Sequence, residues 1–439
     1  MKINRKDLVE ALEIAKRFTS SELPQTQLVF IDTRKQKIVA TDLYAWAEIG
    51  LEINNVHTQK MEVSQKKSRW PEEGFRPDLM SLKKSQLENL AEYMGIQVAG
   101  TKTEMVETIV RESMVAADEE SSNDLEEVYL KESFLIDPLL LLYAVKTLSG
   151  DTVEIVGDRY YQVDCDTGGA FLVPQWINIH GYYKGIITLS PETYPEKPSF
   201  GFGKADKFIC NLFRTDLEFI NQVKADSSSM ADFYHYVMFG EKEIVTTDGS
   251  RLYLLKRESG YPAAFYLKKK LLQKICPVLK DGPLELYAKI GEVIEISIPK
   301  KNVKIITAWT DINFPAYNAV VSMESHEVSV GVSESTWKDM TNQATVMNDE
   351  TYKGIVMKFN SGLTIESTNP TKGEYGRHFE YESRYSNIEP PIEFSIKGTF
   401  LKCLPVSKVM TFHLSKNQPS AMLVEIDNEK LAAIMPMAS

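Results

Sequence analysis

The sequence predicts an α+β protein in which one unit of helices and strands occurs three times. The first sign is a recurring strand pair, found at KIVATDLYAWAEI (37–49), EIVTTDGSRLYLL (243–255) and GLTIESTNPTKGEY (362–375). Each pair joins two alternating apolar runs through a short polar turn, which is the pattern of a β-hairpin. Thr-Asp opens the turn in the first two copies, and Thr368-Asn369 takes its place in the third. Self-similarity within one chain indicates a repeated architecture.

Amphipathic helices surround each strand pair. Apolar residues at helical spacing predict a first helix at 5–18, 204–224 and 334–347. A second helix is predicted after each pair, at 137–148, 267–280 and 396–408. From the end of the first helix to the central Thr, the copies span 23, 24 and 21 residues, counted from Phe18 to Thr41, from Val223 to Thr247 and from Met347 to Thr368. Helices and strands recur in any α+β protein, but the matched spacing favours a true triplication.

The composition is that of a soluble globular protein with about three domains. The chain has 439 residues, of which 43% are hydrophobic and 25% charged. No apolar run approaches the roughly 18 residues of a membrane helix. The charged, amphipathic N-terminus does not resemble a signal peptide. We therefore expect a cytoplasmic protein without a membrane partner.

The chemistry-bearing residues are scattered. The four cysteines (Cys165, Cys210, Cys276 and Cys403) contain no CxxC pair, which argues against a zinc site or disulfides. The six histidines are isolated, and no Walker A, GxGxxG or GxSxG motif occurs. The sequence therefore predicts no catalytic residues, no metal and no cofactor. Asp42 and Asp248 recur in the turns, where an Asp more often satisfies turn amides than forms a catalytic carboxylate pair.

Basic charge is concentrated on the predicted helices of an acidic protein. The net charge is −11, but the six helical ranges hold 18 of the 50 basic residues and only 9 of the 61 acidic ones. Such a run is often simply a solvated face. A one-sided excess on several helices nevertheless suggests a surface that faces phosphate without reading bases. The candidate DNA-facing residues are Lys16, Arg17, Lys146, Lys207, Arg214, Lys268, Lys269, Lys270, Lys274, Lys397 and Lys402.

Four segments in order resemble the bacterial DNA polymerase III beta sliding clamp family. They are the opening MKINRKDLVEALEIAKRF with ATDLYAW, then VTTDGSRL (245–252), FPAYNAVV (314–321) and SAMLVEIDNEKLAAIMPM (420–437). The resemblance implies three clamp domains, at 1–186, 187–323 and 324–439, with outer antiparallel sheets and inner paired helices. It further implies that two chains form a closed ring around double-stranded DNA. The implied partners are a DNA polymerase, a clamp loader and other proteins with clamp-binding peptides.

The resemblance also implies a peptide-binding groove between the second and third domains. Carried over by position, the groove residues are Thr247, Gly249, Arg251, Leu252, Phe314, Pro315, Met435, Pro436 and Met437, with Tyr234 and Met422 as further candidates. Flexible Met side chains suit a surface that accepts several partners. Without the resemblance, Met435 and Met437 would be read as core residues at a strand end. Ser250, Asn318 and Ala319 depart from the usual family residues, so the preferred peptide is expected to differ.

An insertion at 57–128 interrupts the first copy. Its region 80–112 resembles a SAP or helix-extended-loop-helix module, with Thr101 and Glu104 forming a capping box for the second helix. Lys83, Lys84 and Lys102 are placed to touch phosphate, but acidic residues make the module nearly neutral. DNA contact and protein docking are equally compatible with this pattern.

The function predicted from these features is a non-catalytic processivity factor that encircles DNA and acts as a homodimer. Two alternatives stay open from the sequence alone. One is a DNA-associated scaffold that never closes a ring. The other is a hydrolase or transferase whose catalytic residues are too dispersed to recognise.

Overall fold

The structure is a computed structural model. It describes residues 1–54, 84, 88, 100–115, 129–130, 133–164, 170–179, 183–187, 195, 207–224, 231–258, 263–289, 291–348, 354–381, 388–416 and 420–437. The chain divides into two compact units: Met1–Gly203 with Glu295–Ala308, and Lys204–Ile294 with Trp309–Ser439. Because this division differs from the three predicted domains, the boundaries 1–186, 187–323 and 324–439 stay a prediction.

The same order of elements occurs three times. The first copy contains β1 (Lys2–Asn4), α1 (Arg5–Ala15), β2 (Val29–Asp32), β3 (Lys37–Thr41), β4 (Ala45–Gly50), β5 (Ile53–Asn54), α2 (Lys102–Val115), β6 (Tyr129–Leu130), β7 (Phe134–Ile136), α3 (Pro138–Lys146), β8 (Thr152–Asp164), β9 (Ala170–Ile179) and β10 (Tyr183–Ile187). The second contains β11 (Lys207–Leu212), α4 (Arg214–Ile220), β12 (Tyr236–Phe239), β13 (Glu243–Thr247), β14 (Arg251–Lys256), β15 (Phe265–Lys268), α5 (Lys269–Ile275), β16 (Leu284–Lys289), β17 (Val293–Ile298) and β18 (Val303–Ala308). After α6 (Asn318–Val321), the third contains β19 (Val328–Ser333), α7 (Glu334–Val346), β20 (Ile355–Phe359), β21 (Leu363–Asn369), β22 (Gly373–Phe379), β23 (Ile392–Ile396), α8 (Gly398–Cys403), β24 (Val409–Leu414), β25 (Met422–Glu425) and β26 (Lys430–Ile434). Leaving aside β5, α2 and β6, each copy runs strand, helix, four strands, helix, three strands, which confirms the predicted triplication.

Antiparallel sheets carry both units. In the first unit the strand orders are β10-β9-β8-β1-β5 and β18-β4-β3-β2-β7, and β6 pairs in parallel with β9. In the second unit, one sheet has the order β15-β12-β13-β14-β26-β25-β24-β19 and another the order β22-β21-β20-β23. The pairing of β14 with β26 joins the second and third copies, with Leu252 opposite Ala433. All three predicted hairpins are confirmed, as β3–β4, β13–β14 and β21–β22.

The two helices of each copy lie together over apolar side chains. In the first copy α1 contacts α3, and Leu8, Leu12, Leu141 and Val145 are buried. In the third copy α7 contacts α8, and the indole of Trp337 lies 5.2 Å from the Phe412 ring. In the second copy the side-chain Nδ2 of Asn221, which follows α4, donates to the Leu272 carbonyl of α5 at 3.4 Å. Paired helices packed on sheets confirm the α+β fold class.

Three predicted helices are shorter than expected, and part of each is strand. The range 204–224 contains β11 before α4, so Lys207 lies on a strand and Arg214 opens the helix. The range 267–280 begins in β15, and helix α5 ends at Ile275. The range 396–408 contains only α8 as helix. In β11, the apolar residues at 208, 209, 210 and 212 fit the spacing of a helix as well as the alternation of a strand. A short apolar run of this kind cannot be assigned to either from its periodicity alone.

The described part of the insertion contains α2, which matches the second helix expected there. Its capping box is confirmed: the Thr101 amide donates to Glu104 Oε2 at 2.6 Å, and the Glu104 amide donates to Thr101 Oγ1 at 3.4 Å. The hydrogen bond from the Thr101 amide, with a further one from the Thr101 side chain, holds the pKa of the Glu104 carboxyl below its usual value. Most of the first helix of the predicted module lies outside the described residues, which include only Lys84 and Glu88 from that part, so a SAP-like fold stays a prediction. In the described ranges, no helix has the length and apolar character needed to cross a membrane.

Candidate functional site

The turn between β13 and β14 is organised by Thr247 and Asp248. The Thr247 hydroxyl donates to the Arg251 carbonyl at 2.7 Å and accepts the Gly249 amide at 3.1 Å. Asp248 Oδ1 accepts the amides of Ser250 and Arg251, at 3.0 and 2.7 Å. One Thr and one Asp therefore satisfy the polar groups of the whole turn.

The other copies repeat these hydrogen bonds. Asp42 Oδ1 accepts the amides of Tyr44 and Ala45, and the Thr41 hydroxyl donates to the Ala45 carbonyl. In the third copy, Asn369 Oδ1 accepts the amides of the residues two and three positions further on. The prediction that Asp42 and Asp248 serve their turns is confirmed.

Gly249 lies directly against Tyr234, which belongs to the short helix Asp232–His235 before β12. The φ of Gly249 is +87°, a backbone conformation that residues other than glycine rarely adopt. A Cβ at this position would lie 2.6 Å from the Tyr234 hydroxyl oxygen. Glycine is therefore required at position 249 for two reasons: the positive φ, and the lack of space for a Cβ beside Tyr234. Tyr234 and Gly249, both of them candidate groove residues, are therefore in contact.

One face of the sheet around the β14–β26 pair is apolar, and we call it the apolar face. Side chains from five neighbouring strands form it: Met238, Val245, Leu252, Leu254, Ala421, Leu423, Leu431 and Ala433. Partly buried residues from two other segments pack against it: Tyr266, Phe314, Tyr317, Val320 and Val321. The segment that contains Phe314 therefore lies over the apolar face beside the turn.

Aromatic rings continue this surface towards Tyr234, and we call Phe233, Tyr234, Tyr266, Phe314 and Tyr317 the aromatic cluster. The Phe233 ring centroid lies 4.3 Å from that of Tyr234 and 6.1 Å from that of Phe314. Phe314 in turn lies 6.2 Å from Tyr266 and 6.3 Å from Tyr317. All five side chains are partly accessible, so the cluster offers a ring-lined surface rather than a closed core.

Two tyrosines of the cluster keep their protons at neutral pH. Burial raises the pKa of Tyr317, and its hydroxyl donates to the Glu243 carboxylate, which raises that pKa further. Burial also raises the pKa of Tyr266, with a smaller contribution from the charge of Asp311. Both rings therefore present a neutral hydroxyl at the edge of an apolar surface.

The C-terminal segment closes the other side of the turn. The Met435 amide donates to the Ser250 carbonyl at 2.9 Å, and 40% of Met435 is exposed. Two residues on, past Pro436, the Met437 amide donates to the Ser395 carbonyl at 2.7 Å. Met435 is therefore an accessible side chain beside the turn, not a core residue. Pro315, next to Phe314, is also exposed.

Three of the predicted groove side chains do not line this surface. Met422 is fully buried and faces away from the apolar face, because its neighbour Leu423 belongs to that face and adjacent residues of a strand alternate. Arg251 is likewise on the opposite side from Leu252. Thr247 is buried inside the turn. Met422 as a groove residue is therefore wrong, and Arg251 and Thr247 support the turn from behind.

The Arg251 side chain is fixed by two contacts behind the turn. Its Nε and Nη2 lie 3.0 and 2.8 Å from Asp248 Oδ2. Its guanidinium carbon lies 4.3 Å above the Phe400 ring of α8, and Lys397 Nζ lies 5.6 Å from the same ring. The turn of the second copy is thus braced against a helix of the third by cation–π contacts.

Most candidate DNA-facing side chains are accessible, but Lys269 is not. Only 4% of Lys269 is exposed, and its ammonium donates to the Thr247 carbonyl at 2.7 Å. The expectation that Lys269 faces solvent is wrong, because the chain turns from β15 into α5 at this residue and directs it behind the turn. The remaining candidates are exposed or half-exposed: Lys16, Arg17, Lys146, Lys207, Arg214, Lys268, Lys270, Lys274, Lys397 and Lys402.

Lys146 and Arg214, among these accessible cations, form ion pairs with acids. Lys146 Nζ lies 2.6 Å from Glu13 Oε1, and Arg214 Nε lies 2.7 Å from Glu218 Oε1. All four side chains are about half exposed, so the pairs are weak and can exchange for other anions. The hydrogen bond and charge of Glu218 raise the pKa of Arg214.

A Ser-His-Glu chain, which the sequence did not reveal, crosses three strands of the second unit. Ser329 Oγ lies 2.8 Å from His413 Nδ1, and His413 Nε2 lies 3.2 Å from Glu425 Oε2. Such contacts are common between side chains on neighbouring strands. Among the described residues, no group of three or more His, Cys, Asp or Glu is placed to hold a metal ion.

Three repeats of paired helices on antiparallel sheets, with this turn and apolar face, define the fold of a DNA sliding clamp. No family model matches the chain, and no curated protein matches it. Solved structures do. The Pseudomonas aeruginosa DNA polymerase III subunit beta, bound to griselimycin, is similar with a TM-score of 0.67, at 14% identity over 100% of this chain and 99% of that one. The Bacillus subtilis sliding clamp has a TM-score of 0.66, at 14% identity over 100% and 98%. The Thermotoga maritima beta subunit has a TM-score of 0.63, at 14% identity over 100% and 99%.

Proposed function

We propose that this chain is a DNA sliding clamp, a non-catalytic ring that holds replication proteins on double-stranded DNA. The observation that carries the proposal is the end-to-end likeness to sliding clamp structures, with TM-scores of 0.63 to 0.67 over the whole chain. Three domains, at 1–186, 187–323 and 324–439, would supply half of a ring, and a second copy would complete it. The protein would act in the cytoplasm with a polymerase and a clamp loader.

The accessible lysines of α5 and α8 support the DNA-binding part of the proposal. Lys270, Lys274 and Lys402 lie on these short helices, and Lys397 immediately precedes α8. Contacts from such residues to phosphate are independent of sequence and weak enough to permit sliding. Closure of the ring, rather than tight binding, would then prevent escape.

The groove proposal rests on the surface around the β13–β14 turn. Gly249, Leu252, Phe314, Pro315 and Met435 lie together there, and the aromatic cluster extends it. Apolar anchors of a partner peptide would pack on the rings and on the flexible Met435 side chain, because both adapt to different occupants. The polymerase, the clamp loader and repair proteins would share this surface.

The first experiment measures binding of a labelled peptide of the Gln-Leu-x-Leu-Phe type by fluorescence anisotropy. We expect saturable binding to the wild type and at least a tenfold loss in a Pro315→Ala, Met435→Ala double variant. Both side chains are exposed, so the variant should fold normally. The matched control is Val409→Ala, an exposed apolar residue at the start of β24 that is not part of the apolar face or the aromatic cluster. Wild-type binding in the double variant would remove the groove from the proposal.

The Ser-His-Glu chain allows the hydrolase alternative to be tested directly. If Ser329 were a nucleophile, purified protein would hydrolyse ester or phosphoester reporters and Ser329→Ala would lose that activity. We expect no turnover by either protein and unchanged retention on circular DNA. Turnover that depends on Ser329 would overturn the non-catalytic part of the proposal.

A further inference from the structure

Lys269 is a buried cation placed directly behind the candidate groove. It is the first residue of α5, and its Nζ donates to the Thr247 carbonyl at 2.7 Å. The hydroxyl of the same Thr247 accepts the Gly249 amide, and Gly249 lies against Tyr234. A continuous series of contacts therefore runs from α5 through the turn to the aromatic cluster.

The other two copies place no cation at this position. The first residue of the second helix is Pro138 in the first copy and Gly398 in the third. The residues before them, Asp137 and Lys397, correspond to Lys268. Only the copy that carries the candidate groove has a long charged side chain there. A role specific to the β13–β14 turn explains this difference better than a general need of the fold.

The environment of Lys269 disfavours its charge. Burial lowers the pKa of its ammonium to about 8, with a further lowering by Arg251 and an opposing effect of Asp248. Tyr253 lies near the same Arg251 and Asp248, and it also lies near Cys403. A buried charge is costly unless it is paired and hydrogen-bonded, and residues with strongly shifted pKa values recur at functional sites.

We propose that Lys269 is a positioning residue of the groove, whose amine holds the turn through its hydrogen bond to Thr247 so that Gly249 stays against Tyr234 and the peptide surface stays formed. This inference rests on the proposed peptide-binding function. Because burial lowers the pKa of Lys269, the formed turn binds the proton less tightly than an opened turn in which the amine reaches water. Deprotonation of Lys269 should therefore favour the formed turn and raise the affinity for peptide, although Lys269 itself touches no peptide.

The test measures the dissociation constant of a capped peptide without ionisable groups between pH 7 and 9.5. For the wild type we expect binding to strengthen about fivefold as the pH rises through 8, because the neutral amine keeps its hydrogen bond to Thr247 and the cost of the buried charge is removed. Lys269→Met should bind about tenfold more weakly at pH 7 and show no step. Lys270→Met, the adjacent exposed lysine, should keep the wild-type profile. Tyr234→Phe should keep the step, because the charge that changes belongs to Lys269.

A second readout does not depend on any peptide. Amide hydrogen exchange at Gly249, Ser250 and Arg251 should be faster in Lys269→Met than in Lys270→Met at the same pH. Equal exchange in the two variants, or a pH profile of binding that Lys269→Met retains, would overturn the inference. Absence of peptide binding at every pH, with faster exchange in Lys269→Met, would instead contradict the proposed groove and leave the support of the turn by Lys269 established.

Discussion

At the scale of single residues, Gly249 is where backbone conformation and groove geometry constrain each other most. Any side chain there would be strained at a φ of +87°, and its Cβ would collide with the Tyr234 hydroxyl. We expect Gly249→Ala to lower the free energy of unfolding by about 1–3 kcal/mol. The displaced Tyr234 should weaken peptide binding about tenfold or more. Thermal unfolding and anisotropy titration measure the two effects.

Gly291→Ala is the matched control for this prediction. Gly291 also has a positive φ, +71°, but a Cβ there would meet no heavy atom within 4 Å. The variant should therefore show the backbone cost and normal peptide affinity. Equal loss of affinity in both variants would mean that general destabilisation, not the Tyr234 contact, causes the effect.

Lys269 also makes a prediction about stability and pH. Its pKa is about 8 in the folded protein and 10.5 in an unfolded chain. Between these values the unfolded state binds more protons, so the contribution of Lys269 to stability rises with pH in this window. Compared with Lys269→Met, the wild type should gain up to about 3 kcal/mol from pH 7 to 10.5. Urea unfolding at both pH values measures it, and a constant difference would contradict the assigned burial of the charge.

At the scale of elements, strand alternation separates side chains that line the groove from those that hold the sheet. Met422 is fully buried on the face of β25 opposite to Leu423. We expect Met422→Ala to cost about 2–5 kcal/mol in unfolding free energy, as buried truncations do, with peptide affinity within twofold of wild type. Phe314→Ala should lower the unfolding free energy less than Met422→Ala does, but it should weaken peptide binding at least tenfold. Matched effects in the two variants would contradict the assigned faces.

Helix starts show what the sequence could and could not predict. Asn4, Asp137 and Ser333 cap α1, α3 and α7 with side-chain hydrogen bonds, and these helices were predicted nearly to the residue. No side-chain cap of this kind marks the starts of α4, α5 and α8, where the preceding residues are Phe213, Lys268 and Lys397. Without a capping signal, the preceding strands merged with the helices in the prediction.

The residues of the candidate site also divide into those that local sequence signals predicted and those that they did not. The Thr-Asp turn was recognisable because its polar side chains and glycine have fixed roles in the chain. Phe233, Tyr266 and Tyr317 were missed, because their proximity depends on the pairing of β12 with β15 and on the path of the segment over the apolar face. The error at Met422 was a shift of one residue, which moves a side chain to the other face of a strand.

At the scale of the whole molecule, the distribution of charge makes the clamp proposal testable. An acidic protein of net charge −11 can retain DNA only where its cations are gathered. Lys270 is exposed and Lys274 half-exposed on α5, whereas Lys256 is exposed on a strand of the same copy. The proposed ring therefore requires that charge reversal on the helix, and not on the strand, weaken the contact with DNA.

We expect Lys270→Glu, Lys274→Glu to weaken the direct affinity for DNA and to lower the yield of clamps loaded onto nicked circular DNA, while Lys256→Glu does neither. Each phosphate contact contributes about 0.9 to the slope of log affinity against log salt, so losing two should reduce its magnitude by about 1.8. Lys269 is left unchanged, because its reversal would bury an unpaired acid and unfold the turn. Linearising the circle should release wild type and variants alike, since topology rather than affinity retains a ring. Retention on linear DNA with free ends would favour the open scaffold, and an unchanged slope would move the DNA path away from α5.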